Sequence, residues 1–178
     1  MTIRNHRAAI DQLGFVVVDL DHAVRSWTER FGVGPWTVFR NVTMRGTYLG
    51  QPTTVTIDVA LGYRGEEQIE FITVRSTTPS PYQDDAGEPL EGLHHLAWIV
   101  EDLEGETAAL EREGMTTVFA ASNPAVRVVY LADPAAPGTL FELISGPDSR
   151  AMHRDGLARA AGWDGRDPVV EIDLSTLG

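Results

Sequence analysis

The apolar and polar positions of this chain run through one order twice. Ile10, Gln12, Gly14, Val16 and Val18 alternate with Leu13, Phe15 and Val17, the period of two that gives a strand two different faces. Gln12 is the one polar residue on an otherwise apolar or small face. The period then lengthens. Leu20, Val24, Trp27 and Phe31 recur at helical spacing, Asp19 or Asp21 stands where a helix cap belongs, and Gly32 and Gly34 precede Pro35. Three strand candidates bounded by turn-forming glycines follow, over 36–42, 53–61 and 67–75. The pattern predicts a βαβββ unit.

After the stretch STTPSPYQDDAGEPLEG the order restarts. His95, Ala97 and Ile99 share a strand face, Asp102 is placed to cap a helix that buries Leu103 and Leu110, and Gly114 ends it. Strands are expected near 116–120, 125–131 and 138–145. Beyond Gly146, residues 148–161 read as a helix ended by Gly162. VVEIDL reads as an edge strand that packs Val170, Ile172 and Leu174 and exposes Glu171 and Asp173. The expected division is a first module over 8–77, a linker over 78–91, a second module over 92–146 and a C-terminal extension over 147–178. The stretch between the units carries three prolines, four acidic residues and no apolar periodicity, so the linker is expected on the surface. The predicted fold class is α+β: two tandem modules forming a cleft-shaped, curved mixed sheet with the helices outside.

The repetition brings four polar positions into two symmetric pairs. Gln12 and His95 each precede a leucine, Leu13 and Leu96, while Glu70 and Glu142 hold matching places in IEFI and FELI. Their strand neighbours are apolar, so those opposite faces should pack under the helices and the quartet should face the cleft. Carboxylates on an apolar face are costly, and two that converge repel. A divalent cation removes both costs, with Gln12, Glu70, His95 and Glu142 as its ligands and two octahedral positions left open. The alternative is that the glutamates are rim residues, Gln12 bonds locally and His95 is a satisfied core histidine. His94 points to the other face of its strand and reads as a supporting group. No role is assigned to His6, His22 or His153. Trp36, Phe39, Tyr48, Tyr63, Phe119 and Tyr130 flank the cleft, some as pocket lining and the rest as core. Arg40, Arg45 and Arg64 are candidates to hold an anionic substrate tail.

Composition narrows the chemistry. The 178 residues include no cysteine, which removes thiolate ligands, a thiol nucleophile and disulfides. All 14 basic residues are arginines, so Schiff-base chemistry and a P-loop lysine are excluded. A net charge of -12 argues against nucleic acid and anionic membranes as partners. No apolar run approaches a membrane span, and MTIRNHRAAI lacks the apolar core of a signal peptide. A cytoplasmic location is expected.

The two βαβββ repeats, the polar residue before Leu13-Gly14 and Leu96-Ala97, and the FELIS strand resemble the vicinal oxygen chelate superfamily over about residues 9 to 146. That group includes glyoxalase I, methylmalonyl-CoA epimerase, extradiol dioxygenases and the fosfomycin and bleomycin resistance proteins. DLDHAVRSWTERFGVGPW and AAGWDGRDP look most like its epimerase-like glyoxalase branch. The order Gln12, Glu70, His95, Glu142 is similar to the ligand set of zinc-type glyoxalase I. The extradiol dioxygenases hold Fe(II) with two histidines and a carboxylate, and Gln12 replaces the first histidine here. One imidazole and three oxygen donors suit a redox-inert Lewis acid: Zn, Ni, Co, Mn or Mg. The resemblance implies an isomerase or lyase that moves an α-proton on a small carbonyl compound or thioester through a chelated enolate, with Glu142 and Glu70 as catalytic bases. Epimerases of the group carry a further glutamate on the third strand, where QPTTVTIDVAL offers Asp58 as its one acid. The other function carried forward is a non-catalytic small-molecule binding or resistance protein, and after it a dioxygenase. A homodimer with the cleft closed inside each chain is expected.

Overall fold

The side chain of Asp19 accepts a hydrogen bond from the His22 N–H and starts helix α1 (Leu20–Phe31), which Gly32 ends. The structure, a computed structural model, describes residues 9–174. The N-terminal stretch with His6 and the last four residues of the C-terminal extension lie outside the described residues. Strand β1 (Gln12–Val16) precedes α1, and β2 (Trp36–Tyr48), β3 (Gln51–Arg64) and β4 (Glu67–Val74) follow it. The second pass gives β5 (Gly92–Ile99), α2 (Leu103–Arg112), β6 (Thr116–Ser122), β7 (Arg127–Ala132) and β8 (Leu140–Ser145). Asp102 caps α2 through the Gly105 N–H. Helix α3 (Ser149–Ala161) and strand β9 (Val169–Asp173) complete the described chain. No described helix is long and apolar enough to cross a membrane.

The strands lie in the order β3-β4-β1-β5-β8-β7-β6-β2-β9, and β2 also pairs with β3. That extra pairing closes eight strands into a ring, so the expected cleft is instead a barrel-like sheet. The cause is the length of the β2–β3 hairpin. From the sequence pattern β2 is expected to end near Val42. It continues to Tyr48, and its last turn of strand, Arg45 to Tyr48, pairs with Ser122 to Phe119 of β6. A Cβ on Gly46 would lie 1.9 Å from the Ala120 carbonyl oxygen, so the seam can close only because that residue has no side chain.

Three apolar clusters follow from this closure. Leu20 and Val24 of α1 cover Trp36, Val38, Ile69 and Phe71 on the outer face. Leu103 and Leu110 of α2 cover Val129, Leu131 and Leu143. The barrel interior holds Val16, Met44, Val55, Ile72, Phe119 and Tyr130. Phe31, expected on the buried side of α1, is 53% exposed, because at the helix end its ring packs edge-on to Trp27 rather than on the sheet.

The linker is the main departure from expectation. Ser80, Pro81, Tyr82 and Gln83 are buried, and Tyr82, 1% exposed, joins the barrel-interior cluster. Its hydroxyl lies 3.0 Å from that of Tyr130. An aromatic ring carries enough apolar area to outweigh the polar character of its flanks, and a 14-residue average hides one such residue. β9 also differs: Val169 and Val170 are exposed. The strand is held by parallel pairing to β2 and by polar bonds from Arg40 to Glu171 and from Asn41 to Asp173, not by an apolar face.

Candidate metal centre

Strand register delivers the four polar residues to one region. β1 pairs with β4 and β5 so that Gly14 stands opposite both Glu70 and His95, while β5 pairs with β8 so that Ala97 stands opposite Glu142. Leu13, Ile69 and Phe71 belong with the cluster under α1, and Leu143 lies under α2. Their neighbours Gln12, Glu70 and Glu142 therefore face inward. Gly14 supplies the room. A Cβ there would fall 2.0 to 2.6 Å from three atoms of the His95 ring, so the imidazole occupies the space a side chain would take.

His95 is fully buried, and its Nε2 lies 3.0 Å from Glu142 Oε2, 3.1 Å from Glu70 Oε2 and 3.3 Å from Gln12 Oε1. One ring nitrogen has at most one hydrogen to give, and three acceptors surround it. Both glutamate Oε2 atoms are buried, and the single Nε2 hydrogen cannot serve both. Burial lowers the His95 pKa, but the charge and hydrogen bond of Glu142, followed by those of Glu70, push it up to about 10. Burial raises that of Glu142, with Glu70 adding to the rise and His95 and Tyr130 opposing it. Three oxygens that share at most one hydrogen around one imidazole fit a divalent cation. Donor atoms of Glu70, His95 and Glu142 lie within 4.8 Å of one another.

The surroundings orient these donors. Gln12 Nε2 donates to Gln68 Oε1 at 2.8 Å, and the Gln68 amide in turn donates to the Tyr63 hydroxyl. This leaves Gln12 Oε1 toward His95. Tyr63 packs against His153 of α3, which lies 4.0 Å from Asp11, so α3 abuts the chain of Gln12, Gln68 and Tyr63. The Tyr130 ring stacks on His95 at 5.1 Å. His94 Nδ1 lies 3.0 Å from His95 Nδ1, and its Nε2 lies 2.8 Å from the Pro81 carbonyl oxygen. Burial and then the neighbouring His95 lower the His94 pKa to about 4, so its ring is neutral at pH 7. Sequence reasoning missed Gln68, Pro81 and Tyr82. Gln68 shares an inward strand face with Glu70, which was the available signal; nothing in the spacing marked Pro81.

A pocket of about 630 Å³ opens beside the linker, lined by Tyr48, Leu49, Pro81, Leu90, Leu93 and His94 among others. None of the quartet lines it. Of the aromatic residues expected around the cleft, Phe119 and Tyr130 are inside the barrel, whereas Trp36 lies outside, stacked on Phe71 beneath α1. Arg40 is not free to hold a substrate tail. It bonds Asp21, Asp58 and Glu171. Arg45 and Arg64 are exposed.

Asp58 is likewise committed. Burial raises its pKa, but the Arg75 hydrogen bond, the Asn41 N–H, the Arg75 charge and the Arg40 bond together hold it below the ordinary value. Its side chain is 4% exposed, so it ties β3 to β2 and to Arg75 just past β4, and is no base. Such a depressed carboxyl stabilises the fold above its unfolded value, about 4, and the contribution is lost as pH falls through the folded value. Asp58→Asn should cost about 2 kcal/mol at pH 7, read as a lower urea midpoint. The gap from wild type should shrink below about pH 4.

The comparisons agree with this architecture. The structure is similar to methylmalonyl-CoA epimerase from Mycobacterium tuberculosis at 22% identity, over 83% of this chain and 97% of that one, with a TM-score of 0.53. A methylmalonyl-CoA epimerase in complex with methylmalonyl-CoA and NH4+ matches at 18% identity, over 78% and 94%, with a TM-score of 0.51. A hypothetical protein from Bacillus halodurans C-125 matches at 19% identity, over 76% and 92%, with a TM-score of 0.52. At these identities the likeness is one of fold. No curated protein sequence matches. The family model for the Glyoxalase/Bleomycin resistance protein/Dioxygenase superfamily matches residues 11–130, a span that holds Gln12, Glu70 and His95 and stops short of Glu142. With that match over most of its length, the chain belongs to the Glyoxalase/Bleomycin resistance protein/Dioxygenase superfamily.

Proposed function

We propose that the protein is a metal-dependent isomerase or lyase, epimerase- or glyoxalase-like, that moves a proton on the carbon next to a carbonyl or thioester. The observation that carries this reading is the convergence of two buried glutamate oxygens and Gln12 Oε1 on one His95 nitrogen, which has at most one hydrogen to give. Gln12, Glu70, His95 and Glu142 would hold one divalent ion, of Zn, Ni, Co, Mn or Mg. When bound, the ion supplies Lewis-acid stabilisation of the negative charge that develops on substrate oxygen as the α-proton leaves. Sequestration without metal gives no reason to bury two carboxylates against a single imidazole.

The chain's own carboxylates then divide the proton work. Glu142, with 4% of its side chain exposed, takes the α-proton in a shielded position; Glu70, at 13%, exchanges protons with solvent more readily. Burial raises the Glu142 pKa and makes its ionised form a stronger base. Asp58 is engaged by two arginines, so the pair Glu142 and Glu70 serves both directions of transfer.

Methylmalonyl-CoA and an α-keto hemithioacetal are suitable first probes. Turnover in deuterated water should place deuterium on the α-carbon, wholly or in part, and chelator should abolish it. Glu142→Gln keeps an oxygen that can coordinate but loses the base, so exchange should fall about 100-fold or more while metal affinity changes far less. Exchange that persists without metal, or oxygen consumed during turnover, would rule the reading out. Binding of either probe with no exchange at all would favour the sequestering protein.

A further inference from the structure

The linker between the two repeats is joined to the candidate metal centre through two imidazoles, and hydrogen-bond valence allows one assignment of the protons. A cation at His95 Nε2 requires that nitrogen to be bare, so the ring hydrogen sits on Nδ1. The polar atom it meets is His94 Nδ1, at 3.0 Å, which must then accept. The remaining His94 hydrogen is on Nε2, 2.8 Å from the Pro81 carbonyl oxygen, which can only accept. The order is His95 Nδ1–H to His94 Nδ1, then His94 Nε2–H to Pro81.

Pro81 has a fixed position because the linker is anchored on both sides of it. The Thr53 hydroxyl donates to the Pro79 carbonyl at 2.8 Å, Gln83 Nε2 donates to the Thr78 carbonyl at 2.8 Å, and the Leu90 N–H donates to the Tyr82 carbonyl at 3.0 Å. Tyr82 itself is seated inside the barrel. His94 is 6% exposed, so no water replaces Pro81 as acceptor without the linker moving.

We propose that His94 is a positioning residue that sets the tautomer of His95, and that through Pro81 it couples metal affinity to the seating of the linker. This rests on the metal reading above. Lifting the linker removes the acceptor that orients His94 and loosens the ion; by reciprocity, binding the ion holds the linker down.

The test uses the full chain labelled with 15N-histidine and loaded with zinc. Long-range proton–nitrogen correlation should show His94 with its hydrogen on Nε2 and His95 with its hydrogen on Nδ1. Zinc affinity, read by competition with a chromophoric chelator, should fall roughly 10- to 100-fold in His94→Phe, which keeps a ring but no acceptor. It should be largely restored in His94→Asn, whose side-chain oxygen can stand near the Nδ1 position. Zinc should also slow hydrogen exchange of the Leu90 amide in wild type, and much less in His94→Phe. A His94 hydrogen on Nδ1, an unchanged affinity in His94→Phe, or Leu90 exchange indifferent to zinc would each overturn the proposal. Wild type that binds no divalent ion would overturn the metal reading as well, so the two failures are distinguishable.

Discussion

A divalent ion added to the metal-free protein at about 100 times its dissociation constant should raise the melting temperature by roughly 5–10 °C, because binding to the native state alone contributes about 2.7 kcal/mol in a chain of this size. The informative variant is Glu142→Leu, which keeps volume and removes a donor. It should lose most of the thermal shift and lower metal affinity about 100-fold or more. Yet the metal-free variant should lose less than a broken buried pair does, since one of two mutually repelling carboxylates is removed and the other still lies 3.1 Å from His95 Nε2. Glu70 remains beside His95 to partner its charge. A structural ion pair behaves in the opposite way: removing one partner costs about 3–5 kcal/mol whether or not metal is present. Differential scanning fluorimetry with and without zinc, nickel, cobalt or manganese separates the two. A variant that is strongly destabilised without metal and still shifts with it would refute the assignment of Glu142 as a ligand.

Gly14→Ala should damage both fold and site although it adds one methyl group. That methyl would stand 2.0 Å from His95 Cε1, 2.1 Å from Nε2 and 2.6 Å from Nδ1. His95 cannot retreat, because Tyr130 stacks on its ring and His94 holds its Nδ1. Overpacking of this kind costs about 3 kcal/mol, and relief requires the imidazole to rotate away from Glu70 and Glu142. Metal affinity should therefore collapse together with stability. Ala97→Gly, a deletion at a neighbouring buried position of β5, is the comparison: it weakens the strand without entering the ring's space, so the metal-induced shift should survive. If Gly14→Ala melts like wild type and binds zinc normally, the placement of His95 over Gly14 is wrong.

What could be seen in the order of residues was the repeated local geometry. Strand alternation and helical spacing depend on neighbours within a few residues, and so do the Asp19 and Asp102 caps. The matching places of Gln12 with His95 and of Glu70 with Glu142 needed only the duplication and strand parity, and the structure brings these four side chains to one inward-facing cluster. The roles of Arg40 and Asp58 were not visible, because their partners Asp21, Arg75 and Glu171 arrive from α1, from the segment just past β4 and from β9.

Closure of the sheet was decided by contacts distant in sequence. Polar side chains at the end of β2 say nothing of the β6 edge that takes up its backbone groups, and the need for Gly46 exists only once Ala120 lies against it. The linker teaches the same lesson from the other side. Proline and acidic residues describe a segment in water, but the barrel leaves a space between Phe119, His94 and Tyr130 that one tyrosine ring fills. Local pattern determined which strands and helices form and which residues share a face; the tertiary structure decided which strand edges meet and which side chain fills the interior, because burial and backbone pairing are settled by partners far along the chain.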